Sequence, residues 1–232
     1  AVLRAGGVEQ HDRVAYLGFN DPQFFVTMFA AARLGTTFVP LNFRLTGPEL
    51  DFIIGDAGVH TLVTDAEHHG VIDGIRSTLP VRRYLGHGHV TDGWEEFGPL
   101  VHAATPIDES SAARVSPGDV AVIMYTSGTT GRPKGCPITH GNLVWTTAQA
   151  RAALGEILGE GTSNLMFLPL AHVFARVVQF VCLEASVQLG YARSIDDMRE
   201  DIVAFRPTFL LAVPRVFQKI YDAGRRKASG IR

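Results

Sequence analysis

Short apolar runs alternate with longer amphipathic ones along most of the chain. Val14 to Phe19 (VAYLGF) predicts a buried strand, and Asn20-Asp21-Pro22 predicts a helix start with Pro22 in its first turn. That helix is expected to turn Phe25, Met28, Phe29, Ala32 and Leu34 inward, with Gly35 able to end it. Phe38 to Pro40 reads as a second short strand. Thr46-Gly-Pro-Glu49 has capping-box spacing ahead of a helix over Leu50 to Gly55. Thr61 to Thr64 and Arg83 to Leu85 are further strands.

Gly86 to Pro117 breaks this rhythm and reads as a long connection, with a short helix around Trp94 to Phe97. Asp119 to Tyr125 (DVAVIMY) is then a continuous apolar strand of the kind buried on both faces. A Gly/Thr/Ser loop and a helix over His140 to Leu154 follow. The expected remainder is strand Asn164 to Leu168, helix His172 to Leu183, strand Val187 to Tyr191, helix Ile195 to Phe205 and strand Thr208 to Val213. Pro214 opens a last helix expected to carry Phe217, Ile220 and Tyr221 inward. Repeated strand-helix alternation predicts an α/β fold: doubly wound, mostly parallel sheets with flanking helices. The break near residue 110 predicts a first α/β part over 1–110 and a second over 111–232.

Composition narrows the class. The chain has 232 residues, 46% of them apolar and 19% charged, which excludes general disorder. A net charge of −2 gives no electrostatic footprint for nucleic acid. Two cysteines, Cys136 and Cys182, are too few for a disulfide scaffold and fit a reduced cytoplasm. The most apolar stretch, Leu165 to Tyr191, is interrupted by Pro169, His172, Arg176 and Glu184, which suits two strands and a helix better than a membrane span. Peripheral contact with a lipid surface stays open.

The segment that carries chemistry is Tyr125-Thr-Ser-Gly-Thr-Thr-Gly-Arg-Pro-Lys-Gly135, directly after a buried strand. Glycines let backbone N–H groups approach an anion, and clustered N–H groups form an anion-binding concavity. Hydroxyls add donors, and a lysine adds a point charge suited to phosphate. The chain holds only three lysines beside eighteen arginines, so Lys134 is not surface filler. The P-loop of nucleotide hydrolases would need Gly at 133 and Ser or Thr at 135; Pro133 and Gly135 stand there instead. The GxGxxG dinucleotide fingerprint is also absent from this loop. A flexible linker is the plain alternative, but linkers seldom join an apolar strand to a helix.

TSGTTGRPKG resembles the signature phosphate-binding loop of the adenylate-forming superfamily, which includes acyl-CoA synthetases, peptide-synthetase adenylation domains and luciferases. Ala32-Arg-Leu-Gly-Thr-Thr-Phe-Val-Pro-Leu-Asn42 and Phe167-Leu-Pro-Leu-Ala-His-Val-Phe174 are similar to two more of its motifs. Val213-Pro-Arg-Val-Phe-Gln-Lys-Ile-Tyr221 resembles the long-chain acyl-CoA synthetase branch, as does Cys136 after the loop, whereas the segment before the loop is closer to medium-chain or general acyl-CoA synthetases. The resemblance implies a fatty acyl-CoA synthetase: ATP and a fatty acid give acyl-AMP and pyrophosphate, and coenzyme A then displaces AMP. It implies that Thr126, Ser127, Gly128, Thr129, Thr130, Gly131, Lys134 and Gly135 serve the phosphates, with magnesium (Mg2+) sharing that task. It also implies that His172 lies beside the substrate carboxylate; alone, a histidine among apolar residues reads as a satisfied core residue. Ala175 stands where long-chain enzymes often have an acid before Arg176, which puts a local salt bridge in doubt.

The other candidates are weaker. His68-His69 and His87-Gly-His89 lack the partner spacing of a metal site. Cys136 is either an activated thiol beside Lys134 or a buried inert one. Asp196, Asp197, Glu200 and Asp201 favour a helix start, and Arg225, Arg226 and Lys227 a helix end. The Val177 to Leu183 stripe reads as core rather than fatty-acid tunnel. The superfamily's later adenine, ribose and catalytic-lysine motifs are not found in the sequence. The expectation is the front part of a ligase's large domain, cut near Ala1 and Arg232. Two alternatives remain: an adenylating enzyme feeding a carrier protein, and a catalytically incompetent remnant with weak nucleotide binding.

Overall fold

A computed structural model describes residues 1–126, 131–192, 198–214, 216–218, 221 and 225. The expected Asp196-Asp197 helix start, Ile220, Arg226 and Lys227 lie outside them. After a one-turn helix α1 (Val2–Ala5), the chain forms β1 (Arg13–Leu17), α2 (Pro22–Arg33), β2 (Thr37–Leu41), α3 (Gly47–Ala57), β3 (Thr61–Asp65) and α4 (His69–Asp73). Then come β4 (Arg83–His87), β5 (Glu95–Glu96), α5 (Phe97–Ala103), β6 (Val120–Thr126) and β7 (Lys134–Thr139). They are followed by α6 (His140–Leu154), β8 (Ser163–Met166), α7 (Val173–Glu184), β9 (Gln188–Tyr191) and α8 (Met198–Phe205), and the described residues 214, 216–218, 221 and 225 are helical.

Seven strands form one sheet in the order β5-β4-β3-β1-β2-β6-β7. All neighbours are parallel except β7, which runs antiparallel to β6. The sheet runs across residue 110, because β6 pairs with β2. A second, parallel pair joins β8 to β9. The continuous apolar strands are explained by burial on both faces. Val14 and Tyr16 of β1 pack into one core, which also takes residues of α2 and α7. Ala15 and Leu17 point to the other, which takes residues of α3. Among the described residues no helix is long and apolar enough to cross a membrane.

Capping chemistry sets the helix starts as the sequence predicts. Asp21 accepts from the Gln23 N–H at 2.7 Å, and Thr46 with Glu49 forms the capping box of α3. Several expectations need correction. The inward face of α2 carries Phe24, Thr27, Met28 and Ala31, while Phe29 is exposed. The helix expected around Trp94 to Phe97 starts only at Phe97, after the short strand β5. Thr208 to Val213 contributes one bridge, Phe209 to Asn164, rather than a strand. Phe217 and Tyr221 are exposed, and Val216 turns inward. The sequence reading also missed β7: Lys-Gly-Cys-Pro-Ile-Thr has no clean alternation, and its proline is tolerated because β7 is an edge strand.

Candidate functional site

The candidate loop hangs between β6 and β7. Thr126 ends β6, exposed, and pairs in register with Lys134, the first residue of β7. Lys134 and Gly135 therefore sit on a strand, not in the loop proper. Ser127, Gly128, Thr129 and Thr130 lie outside the described residues. Gly131 is exposed with φ +93°, a backbone conformation that a side chain would strain. At Gly135 a Cβ would come within 3.0 Å of Ile123 Cγ2 and 3.1 Å of the Tyr125 ring. A glycine there lets β7 lie close over β6.

Two contacts fix the flanks of the loop. The Tyr125 hydroxyl donates to Asp56 Oδ2 at 2.6 Å, and desolvation with that carboxylate pushes its pKa well up. The Arg132 guanidinium lies 5.6 Å from the Phe52 ring centroid, toward α3. Cys136 is exposed on β7, which overturns the buried-thiol alternative, while Cys182 is buried.

His172 is the N-cap residue of α7, and its N–H donates to Pro169 O at 3.0 Å. Its ring is open to a cavity of about 170 Å³. That cavity brings His172 together with Tyr125 and Thr126 of β6 and Pro133 just ahead of β7, and with Asn42 and Leu45 of the β2–α3 connection and Glu49 in the first turn of α3. It lies outside the carboxyl ends of parallel strands β2 and β6, where ligands of open α/β sheets bind. A volume of about 170 Å³ has room for a phosphate- or carboxylate-sized group. Desolvation first, and the Arg44 charge second, hold the His172 imidazole below the ordinary histidine value. The ring is thus mostly neutral near pH 7.

The sequence reading gives Asn42 only as the end of a family motif and Glu49 only as part of a capping box, and places neither at the site. The available signal was the position of Asn42 just past the carboxyl end of β2. The paired histidines are used structurally: His68 contacts Asp65 at 2.6 Å, His87 contacts Asp21 at 3.5 Å, and His69 stacks on His89. Among the described residues no group of three or more His, Cys, Asp or Glu is placed to hold a metal.

The departure at Ala175 has a visible counterpart. Ala175 is fully buried, and so is Arg176, which belongs to none of the ion pairs among the described residues. Its guanidinium donates from Nη2 to Leu170 O at 2.8 Å and lies over the Phe24 ring, 4.5 Å from the centroid. Along the α7 stripe, Val178, Val181 and Cys182 are core, while Leu183 is exposed.

Similarity to known proteins agrees with this geometry. The chain is 31% identical over 229 residues to the long-chain-fatty-acid–CoA ligase FadD15 of Mycobacterium bovis, covering 96% of this chain and 38% of that protein. It is 35% identical over 223 residues to a feruloyl-CoA synthase of an Amycolatopsis species, covering 94% of this chain and 42% of that one. Its fold matches ATP-bound MatB of Rhodopseudomonas palustris with a TM-score of 0.78 at 27% identity, over 94% of this chain and 42% of the other. The chain thus spans about two-fifths of the length of these relatives. A glycine- and hydroxyl-rich segment after a buried strand, a histidine that shares a cavity with Thr126 and a match over residues 1–232 lead to one conclusion: the chain belongs to the family of AMP-binding enzymes.

Proposed function

We propose that the protein of which these residues form a part is a fatty acyl-CoA ligase that works through an acyl-adenylate. The observation that carries this reading is the shared cavity of Thr126 and His172, beside the strand that presents Lys134. In the first step a carboxylate oxygen bonds to the α-phosphorus of ATP while the bond to the β-phosphate breaks, and pyrophosphate leaves with the electron pair. In the second, the sulfur of coenzyme A bonds to the acyl carbon, the thiol loses its proton, and AMP leaves.

The residues have separate tasks in this scheme. The Thr126, Ser127, Thr129 and Thr130 hydroxyls donate to phosphate oxygens, and the Lys134 ammonium offsets charge that builds on the leaving pyrophosphate. Gly128 and Gly131 keep side chains out of the way of the loop's backbone N–H groups, and Gly135 lets the strand after the loop lie close over β6. His172, neutral near pH 7, is able to donate one hydrogen bond to the substrate carboxylate without binding it as a fixed ion pair. Magnesium bound with ATP would neutralise phosphate charge.

The test is ATP- and coenzyme A-dependent thioester formation by the full-length gene product with a panel of fatty acids and ferulate. No thioester with any carboxylate would overturn the reading. Transfer to a phosphopantetheine-bearing carrier protein in place of free coenzyme A would reassign the second step.

A further inference from the structure

Leu168 and Leu170, just before His172, are held from outside the β8–α7 connection. The Asn20 side chain, 7% exposed, reaches from the carboxyl end of β1 in the large sheet to the carboxyl end of β8 in the small one. Its Nδ2 donates to Leu168 O at 3.1 Å and to Met166 O at 3.3 Å. Its Oδ1 accepts from the Leu170 N–H at 3.2 Å. One buried amide therefore takes up the Leu168 carbonyl and the Leu170 N–H of the β8–α7 connection, and shares the Met166 carbonyl at the end of β8 with the Ala192 N–H. The Leu170 carbonyl goes to Arg176, and the His172 N–H closes the turn on Pro169 O.

Asn20 is itself fixed on both sides. The Phe19 N–H donates to Asp65 Oδ2 at 2.8 Å, and Asp21 caps α2. Those two carboxylates are in turn contacted by His68 and His87. The amide thus stands in a braced turn and aims at a connection that has no ladder partners of its own over residues 167–171.

We propose that Asn20 is a positioning residue for His172, tying the His172-bearing connection to the large sheet that carries the phosphate-loop strands. It acts through the backbone, two residues away from the imidazole, and touches no substrate. The proposal rests on the ligase reading for its effect on activity, but its geometric content stands apart from that reading. A misplacement of about 1 Å in a reacting group can cost about a hundredfold in rate. Loss of the clamp should therefore lower the rate of acyl-adenylate formation about tenfold or more, with the change in kcat rather than in KM for ATP.

The experiment uses the full-length protein with Asn20→Ala, the isosteric Asn20→Asp, His172→Ala and the double variants. ATP–pyrophosphate exchange with a fatty acid gives the rates, and NMR of the histidine ring gives its titration. Asn20→Ala should lower kcat about tenfold in the parent and less than twofold in the His172→Ala background, because the clamp acts through that ring. The His172 titration should move up toward the ordinary histidine value as the connection loosens. An equal loss in both backgrounds, or an unmoved His172 titration, would overturn the proposal. If Asn20→Ala does not fold, Asn20→Asp carries the same criteria, since it keeps the acceptor and loses both donors. A wild-type protein inactive with every carboxylate refutes the ligase reading alone, and the ring titration then decides the clamp by itself.

Discussion

Replacing Arg176 by methionine should leave stability within about 2 kcal/mol of wild type, although the side chain is completely buried. Desolvation alone pulls the guanidinium pKa down to about 9, which corresponds to a charging cost on the order of 5 kcal/mol. Two interactions oppose that cost. The bond from Nη2 to Leu170 O has a charged donor and contributes about 1.5–3 kcal/mol. The Phe24 and Phe38 rings, 4.5 and 5.7 Å from the guanidinium carbon, add roughly 2 kcal/mol in a dry setting. The sums nearly cancel, and methionine keeps the length of the side chain against Met28, which Nη1 already touches. Arg176→Ala is different, because it adds a cavity worth a further 2–5 kcal/mol. Equilibrium urea unfolding of the two variants beside wild type measures both, from midpoints and a common slope. A loss above about 3 kcal/mol for Arg176→Met would refute the balance, and would mean that Arg176 has a charged partner beyond the described residues.

Lys134→Ala should lower ATP–pyrophosphate exchange by about a hundredfold while leaving the unfolding midpoint within about 0.5 kcal/mol of wild type, because Lys134 is an exposed residue of an edge strand. The His87–Asp21 pair makes a pH-dependent contribution. His87 is raised by its bond to Asp21; Asp21 is pushed up by desolvation but held lower overall by His87 and the Gln23 N–H. The His87 part is present below the ordinary value of 6.5 and lost as pH rises through the raised one, and the Asp21 part is present above 3.8 and lost as pH falls through the lowered one. His87→Gln should thus cost most, up to about 1 kcal/mol, between those two values, and least in alkali; a difference that grows above pH 8 would contradict this. Tyr125→Phe should remove a phenol that stays protonated well past the ordinary tyrosine value in an ultraviolet titration, at a stability cost of about 1 kcal/mol.

The sequence was most legible where local rules act alone. α6 begins at His140 and ends at Leu154 as the sequence reading expects, and the Thr46–Glu49 and Asp21 caps are local hydrogen bonds between near neighbours. Unbroken apolar runs such as VAYLGF announced parallel strands, since only a strand covered on both faces can be apolar at every position. The TSGTTGRPKG segment pointed to phosphate chemistry through residue types at fixed spacing, which needs no tertiary information.

Tertiary structure decided the rest. Whether Phe24 or Phe29 faces inward depends on where α2 lies against the sheet, which helical period alone leaves free by one residue. β7 has weak strand propensity and exists because the β6 edge supplies its hydrogen bonds. That Thr126 and His172, far apart in the chain, share one cavity follows from the order of strands and the direction of their carboxyl ends. Asn20 read only as part of a helix start; its three bonds lie 146 to 150 residues away and appear only when the two sheets meet. Local spacing thus determined the elements and the chemistry they carry, whereas packing between distant elements decided which of those groups act together.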